Sequence, residues 1–137
     1  MIDNKYKYSE YTEKIIGCAL SVHKYLGNGF PEIIYQRALE IELNKSELSF
    51  DKECEMPVFY YENMVGKRRA DFIIEKVVLV EIKAIKELDD YCTSQILNYL
   101  KAFKIEVGLL INFGEKSLQF KRFINSIGIK EKVESKK

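Results

Sequence analysis

Residues 69–83 read RADFIIEKVVLVEIK, and this stretch decides the fold because it predicts two neighbouring strands joined by a turn. Residues 77–80 are all apolar, so the second strand is expected to be covered on both faces, as in the middle of a sheet. The two-residue period of a strand places Glu81 and Lys83 on one face, at its carboxyl end. Charged side chains at a buried strand end are costly unless each has a partner or a bound metal ion.

The length of the turn decides whether Asp71, on the first of these strands, shares a face with Glu81. Directly opposed residues of an antiparallel pair point to the same face. A two-residue loop at residues 75–76 would place Asp71 opposite Val80, and hence on the face away from Glu81. We therefore predict a loop with an odd number of residues, or a β-bulge, that brings the two acids to one face. A regular hairpin with Asp71 in solvent is the structural alternative.

The composition is that of one globular domain with one core. The chain has 137 residues, of which 47% are apolar and 31% are charged, as in an average soluble domain. The net charge of +1 excludes a strongly basic coat, so overall charge does not predict nucleic-acid binding. Local basic runs remain, and the nearest to the deciding stretch is formed by residues 67–69.

The sequence also bears on the cellular location. No apolar run approaches the roughly 20 residues of a membrane span, and residues 1–6 lack the apolar core of a signal peptide. The three cysteines, Cys18, Cys54 and Cys92, are far apart and lack the spacing of a zinc site, which favours reduced thiols. We expect a cytoplasmic protein without membrane contact.

The apolar pattern predicts elements in the order α-α-β-β-β-α-β-β. Helical periodicity covers about residues 9–26, 31–45 and 89–103, and strand patterns cover about residues 52–61, 65–74, 77–83, 107–111 and 118–123. The helix between the third and fourth strands is long enough to be a crossover, so these strands should be parallel. The prediction is an α/β fold with a mixed sheet flanked by helices and a ligand crevice at the carboxyl end of the third strand. We expect a single domain over residues 1–137, with an ordered core over about residues 9–125 and a flexible tail over residues 126–137.

Five helical side chains are candidates that also have ordinary structural explanations. Glu32 falls in the first turn of the second helix, where a carboxylate interacts favourably with the helix dipole. Tyr35 lies one turn further along the same face, and Gln95 and Tyr99 share a face of the third helix. His23, the only histidine, lies on an amphipathic helix and is interpreted first as a packing residue.

Several ordered motifs resemble those of the GxxExxY family. The signature Gly-x-x-Glu-x-x-Tyr occupies residues 29–35, and further similar segments lie at residues 22–28, 36–39, 69–71, 80–84, 95–100 and 108–114. The resemblance spans roughly residues 12–124. This family is similar to the PD-(D/E)XK nuclease superfamily. The resemblance therefore implies a restriction-endonuclease-like αβββαβ core, with a mixed central sheet flanked by helices.

The resemblance also implies a catalytic site. Asp71 and Glu81 would bind a metal ion, together with the carbonyl oxygen of Ile82 and the carboxylate of Glu32. Lys83 would orient the attacking water. These residue types suit phosphodiester hydrolysis, because oxygen ligands bind Mg²⁺ and an amine can stabilise developing negative charge.

Further residues are implied at the border of that site. Gln95 matches the Gln-x-x-x-Tyr motif of RecB-like members and would assist catalysis. Tyr99, Tyr35 and Arg69 are implied on the substrate side, and either tyrosine could instead hold the helices together. Ala70 stands where the superfamily name has proline, a position that carries no chemistry.

The predicted function is a Mg²⁺-dependent nuclease that acts on nucleic acid, with DNA as the expected substrate and Mn²⁺ as an alternative ion. The alternative is a non-catalytic module that binds nucleic acid or protein on the same fold. A structural partner protein is a third reading, which no residue supports directly. Because the chain is little larger than a catalytic core, recognition would need a homodimer, a protein partner, or a branched or damaged substrate.

Overall fold

The computed structural model describes residues 7–125 and confirms the predicted order of elements. The helices are α1 (Ser9–Leu26), α2 (Glu32–Lys45) and α3 (Asp90–Phe103). The strands are β1 (Phe50–Tyr60), β2 (Asn63–Ile74), β3 (Val78–Lys83), β4 (Val107–Asn112) and β5 (Gln119–Ile124). The predicted flexible tail, residues 126–137, lies outside the described residues.

The helix ends follow from residues that suit them. Gly27 ends α1 with a φ of 68°, a conformation that glycine adopts without steric cost, and its N–H donates to the carbonyl oxygen of His23. Pro31 is extended and directly precedes α2, so this helix begins one residue later than the sequence predicted. Asp89 caps α3, since its side chain accepts a hydrogen bond from the N–H of Cys92 at 3.0 Å.

The five strands form one mixed sheet in the order β1-β2-β3-β4-β5. Strand β3 runs parallel to β4, and the other three pairs are antiparallel. The connection from β3 to β4 contains α3, as expected for a crossover between parallel strands. The predicted α/β class and its restriction-endonuclease-like arrangement are confirmed.

Helices cover both faces of this sheet. The core between the sheet and helices α1 and α2 contains Ile15, Leu39, Phe72, Val80 and Leu109, all fully buried. The core beneath α3 contains Leu79, Ile96, Leu100 and Leu110, also fully buried. Strand β3 therefore has cover on both sides, which is why its sequence is continuously apolar up to Glu81.

The turn between β2 and β3 has an odd number of residues. Ile74 pairs with Val78, so residues 75–77 form a three-residue loop. The N–H of Val77 donates to the carbonyl oxygen of Ile74 at 3.0 Å. Compared with a two-residue loop, Val77 is the additional loop residue, and it shifts the pairing of β2 with β3 by one residue. The predicted register shift is confirmed. The count from the pair Phe72–Val80 places Asp71 opposite Glu81.

Strand β1 is an edge strand with an irregularity, as its proline predicted. The register between β1 and β2 shifts between Val58 and Phe59, one residue beyond Pro57. Strands β1 and β2 pair over their whole lengths, whereas β2 pairs with β3 only from Phe72 to Ile74. The outer part of the β1–β2 hairpin therefore extends beyond the rest of the sheet.

Candidate active site

Two carboxylates lie where the ladder between β2 and β3 stops. The N–H of Asp71 donates to Oε1 of Glu81 at 3.1 Å, and the N–H of Ile82 donates to Oδ2 of Asp71 at 2.7 Å. Each side chain thus accepts from the backbone of the opposite strand in place of a carbonyl oxygen. The exchange links the two strands and fixes both carboxylates in the space between them.

Both carboxylates are buried, with Asp71 6% and Glu81 5% exposed. Burial disfavours the charged form and raises the pKa of Asp71 from 3.8 to about 6, and the negative charge of Glu32 adds to this shift. Burial first, and then the charge of Asp71, raises the pKa of Glu81 from 4.5 to about 9. The nearby positive charges therefore do not compensate both carboxylates, and the pair retains a proton at neutral pH. A bound cation would remove this deficit.

Lys83 connects β3 with α3 beside these acids. Its Nζ donates to Oε1 of Gln95 at 2.5 Å, and Nε2 of Gln95 donates to the hydroxyl of Tyr99 at 3.3 Å. Tyr99 is only 7% exposed, and burial, followed by the charge of Glu81, raises its pKa. The chain of hydrogen bonds orients the amine of Lys83. Gln95 contacts this amine directly, and Tyr99 contacts Gln95.

Glu32 and Arg69 lie at the rim of the same cluster. Glu32 is the first residue of α2, and much of its side chain is exposed. Partial desolvation of its carboxyl group by the surrounding protein raises its pKa, and the positive charges of Lys83 and Arg69 lower it. The charge of Glu32 in turn raises the pKa of both Asp71 and Glu81. Glu32 therefore lies near enough to Asp71 and Glu81 to influence their ionisation, although within residues 7–125 the three carboxylates do not form a group that could hold a metal ion.

Tyr35 has a structural position, in contrast to its implied substrate role. Its ring is fully buried and stacks on Phe113, with centroids 4.8 Å apart and an interplanar angle of 11°. Its hydroxyl donates to the carbonyl oxygen of Gly27 at 2.6 Å and accepts from the N–H of Phe30 at 3.2 Å. A buried ring cannot stack on a base, so substrate contact by Tyr35 is wrong. It holds the loop that leads to Glu32.

His23 also has the structural role that was interpreted first. Its Nε2 donates to the carbonyl oxygen of Glu115 at 2.9 Å, and the ring is 9% exposed. Its ring centroid lies 6.2 Å from that of Phe113. His23 therefore fastens the end of α1 to the loop after β4.

Sequence reasoning missed Asn112, the last residue of β4 and the partner of Lys83 in the parallel ladder. Its Oδ1 accepts from the N–H groups of Ile85 and Gly114 at 3.0 Å each, and its Nδ2 donates to the carbonyl oxygen of Ile85 at 3.0 Å. It also donates to Oε2 of Glu115 at 2.9 Å. This fully buried amide holds the chain that leaves β3, directly after Lys83. Its only sequence signal is a polar residue at the end of an apolar strand.

Gly114 completes the same junction because it permits a close approach of two loops. A Cβ at this position would meet the backbone of Ile85, with its nitrogen at 2.5 Å and its carbonyl oxygen closer still. Any side chain would therefore push the segment after Lys83 away from β4.

The side chains at this site have the donor chemistry that a divalent cation needs. Within residues 7–125, no group of three or more His, Cys, Asp and Glu side chains is arranged as a ready metal centre. The two buried carboxylates are hard oxygen donors whose negative charge is offset only in part by nearby cations, and such donors fit Mg²⁺ or Mn²⁺. The residues present thus fit the ion by chemistry.

The chain belongs to the PD-(D/E)XK nuclease superfamily, because the model of this family matches residues 9–123. Among solved structures, that of SSO0001 superposes with a TM-score of 0.56 at 24% identity, covering 92% of this chain and 64% of the other. An alkaline exonuclease (LHK-Exo) from Laribacter hongkongensis gives a TM-score of 0.45 at 7% identity, covering 95% and 77% of the two chains.

Two further findings accompany this assignment. A comparison with curated proteins gives no match. In the part of the chain that the structure describes, no helix has both the length and the apolar character needed to cross a membrane.

Proposed function

We propose that this protein is a Mg²⁺-dependent nuclease that hydrolyses phosphodiester bonds, with DNA as its substrate. The observation that carries the proposal is the exchange of hydrogen bonds between Asp71 and Glu81, which holds two buried carboxylates side by side. Membership of the nuclease superfamily supports the same conclusion.

Each residue has a distinct task in this proposal. Asp71 and Glu81 hold the ion, with the carbonyl oxygen of Ile82 and the carboxylate of Glu32 as further ligands. When bound, the ion neutralises charge on the phosphate and lowers the pKa of water. Lys83 orients the attacking water and offsets negative charge as it develops.

The neighbours of these groups set their positions. Gln95 holds the amine of Lys83 through the 2.5 Å hydrogen bond, so it fixes where that positive charge lies. Tyr99 in turn holds Gln95. Arg69 is exposed and its charge acts on Asp71, so it is placed to bind a phosphate that enters the site.

A non-catalytic module that binds nucleic acid or protein is the second candidate function. It is favoured by one observation, since each carboxylate already accepts a backbone hydrogen bond and needs no metal ion for that purpose. Burying two acids side by side is nevertheless costly, and a surface that only binds phosphate gains nothing from them. The nuclease therefore remains the better account.

Three finer assignments belong to the proposal. Residues 29–35 favour membership of the GxxExxY family, and Tyr35 and Glu32 of that signature serve one purpose, since the tyrosine holds the loop before the acid. The small size of the chain favours recognition through a homodimer or a protein partner. Free cysteines at Cys18, Cys54 and Cys92 favour a cytoplasmic location.

Cleavage assays test the proposal directly. Supercoiled, linear and single-stranded DNA, and an RNA of the same sequence, are incubated with Mg²⁺ or Mn²⁺ and separated on gels. Asp71→Asn, Glu81→Gln and Lys83→Ala are expected to lower the cleavage rate by at least about 100-fold while the fold is retained.

Glu13→Gln is the matched control, because Glu13 is an exposed carboxylate on α1. It should cleave like the wild type. Cleavage that is equal in the wild type and in all three site variants would refute the proposal. Binding of the same substrates without cleavage in either metal would favour the module.

A further inference from the structure

The outer part of the β1–β2 hairpin, residues 55–69, is called here the hairpin arm. Its two strands pair with each other, and β3 pairs with β2 only from Phe72 onward. From Asn63 to Arg69 the arm is about 20 Å long at the usual rise of a strand. The end of the arm nearest the rest of the sheet, residues 67–69 of β2, is called its stem, and it ends two residues before Asp71.

The tip of the hairpin arm exposes an apolar surface. Five large side chains there are more than half exposed: Phe59 (59%), Tyr60 (66%), Tyr61 (80%), Met64 (56%) and Val65 (63%). Single exposed apolar residues are common, but a contiguous group indicates an interaction surface. No folding requirement explains this group, because it lies beyond the covered part of the sheet.

Aromatic rings occur on both sides of this tip. Phe59 pairs with Met64 and Tyr60 pairs with Asn63, and adjacent rungs of a ribbon point to opposite faces. The rings of Tyr60 and Tyr61 meet edge to face, with centroids 4.7 Å apart, and both remain open to solvent. Flat rings held in this way offer stacking surfaces for planar groups.

The stem carries cations between this tip and the acidic site. Lys67, Arg68 and Arg69 are consecutive and exposed on β2. Lys67 lies 3.9 Å from Glu55, an exposed pair of little energetic weight that leaves the amine accessible. Arg69 and Asp71 lie on the same strand, two residues apart. The basic run thus lies between the aromatic tip and Asp71 along β2.

We propose that the hairpin arm binds an unpaired nucleic-acid strand that passes around its tip, so that bases stack on Phe59 at one face and on Tyr60 and Tyr61 at the other while Lys67, Arg68 and Arg69 contact its phosphates. Stacking platforms combined with cations are how proteins bind single strands without reading sequence, and a duplex hides the base faces that such platforms need. The inference rests on the proposed function, because it names the strand that the acidic site receives.

Oligonucleotide binding by the full chain tests this inference. Fluorescence anisotropy measures Kd for a labelled single strand and for the same strand in a duplex. EDTA is present so that no cleavage occurs. The double variant Phe59→Ala and Tyr60→Ala, which removes a ring from each face, is expected to raise Kd for the single strand roughly tenfold. Kd for the duplex should change little.

A second variant tests the stem and keeps the test informative if the first one alters folding. Lys67→Ala combined with Arg68→Ala should weaken single-strand binding and reduce the slope of log Kd against log salt by about 1.4, or 0.7 for each phosphate contact. Phe120→Ala and Lys121→Ala are the matched controls, because they lie on β5 at the opposite edge of the sheet. Both controls should bind like the wild type.

The outcomes separate this inference from the proposed function. Arm variants with wild-type Kd, or controls that lose as much affinity as the arm variants, would overturn the inference. So would arm variants that bind DNA normally but dissociate a dimer in sedimentation, since the arm would then be a protein interface. Weakened strand binding in a protein that never cleaves would overturn the nuclease and leave the role of the arm intact.

Discussion

At the scale of single residues, the pair Asp71 and Glu81 is a structural and an electrostatic feature at once. Each carboxylate replaces a carbonyl oxygen as the acceptor of a strand N–H, so the pair continues the contact between β2 and β3 after the ladder ends. The same burial that makes these bonds strong disfavours two negative charges. The metal-free protein therefore carries a local instability that depends on pH.

The direction of this pH dependence follows from the raised pKa of each acid. The folded protein binds protons at Asp71 and Glu81 more tightly than the unfolded chain does, so their contribution to stability is complete below about pH 4. It is lost progressively as the pH rises through about 6 for Asp71 and about 9 for Glu81. The melting temperature of the metal-free wild type should fall across this range.

Glu81→Gln is expected to melt higher than the wild type at pH 8 in EDTA, by roughly 3 °C or more. The amide stays neutral at every pH, and its oxygen can still accept from the N–H of Asp71. Thermal unfolding followed by circular dichroism between pH 4 and pH 9 measures the difference. Glu13→Gln should follow the wild-type curve. A Glu81→Gln protein that melts lower than the wild type at pH 8 would contradict this account of the pair.

The residue scale is also where sequence reasoning was strongest and weakest. The three-residue loop was predictable from the alternation of side chains along a strand. Asp71 and Glu81 share a face in the register that this loop produces, and a two-residue loop would place them on opposite faces. No comparable rule finds Asn112, because its four hydrogen bonds go to loops whose positions depend on the tertiary fold. For Tyr35, the family resemblance implied a position near the site but did not show that the ring is fully buried.

At the scale of elements, the connection between α1 and α2 decides where Glu32 lies. The helices are separated by residues 27–31, and Tyr35 binds both ends of this loop through the carbonyl oxygen of Gly27 and the N–H of Phe30. The same ring packs against Phe113 beyond β4. One buried side chain thus ties the start of α2 to the carboxyl edge of the sheet.

Tyr35→Phe should lower the free energy of unfolding by about 1–2 kcal/mol, because the ring remains packed while two hydrogen bonds are lost. Urea denaturation measures this change. Tyr25→Phe is the control, since Tyr25 is 90% exposed and its hydroxyl meets water. The cleavage rate of Tyr35→Phe should also fall, because Glu32 loses its fixed approach. An unchanged stability would show that the hydroxyl does not hold the loop.

The elements themselves were predictable because their signals are physical and local. Strands β3 and β4 are continuous apolar runs with cover on both faces, and α3 has an acidic cap at Asp89. The start of α2 was placed one residue too early, since proline suits both the last extended position and the first helical one. The sequence did not predict the length of the hairpin arm. The residue pattern of a strand does not show whether a third strand pairs with it.

At the scale of the whole molecule, the candidate site lies where four elements meet. β2 and β3 separate after the pair Phe72–Val80, α2 begins at Glu32, and α3 presents Gln95 toward Lys83. The net charge of only +1 means that attraction of nucleic acid depends on local groups, of which residues 67–69 lie nearest to the site. The fold thus supplies the position of the site, and the side chains supply its chemistry.

The central claim is that Asp71 and Glu81 form a cation site, and calorimetric titration with Mn²⁺ measures it most directly. The wild type at pH 8 is expected to bind one ion per chain, with release of a proton that the pair holds in the metal-free state. The double variant Asp71→Asn and Glu81→Gln should give no binding heat while keeping its fold. No heat in the wild type, or equal binding in the double variant, would contradict the claim.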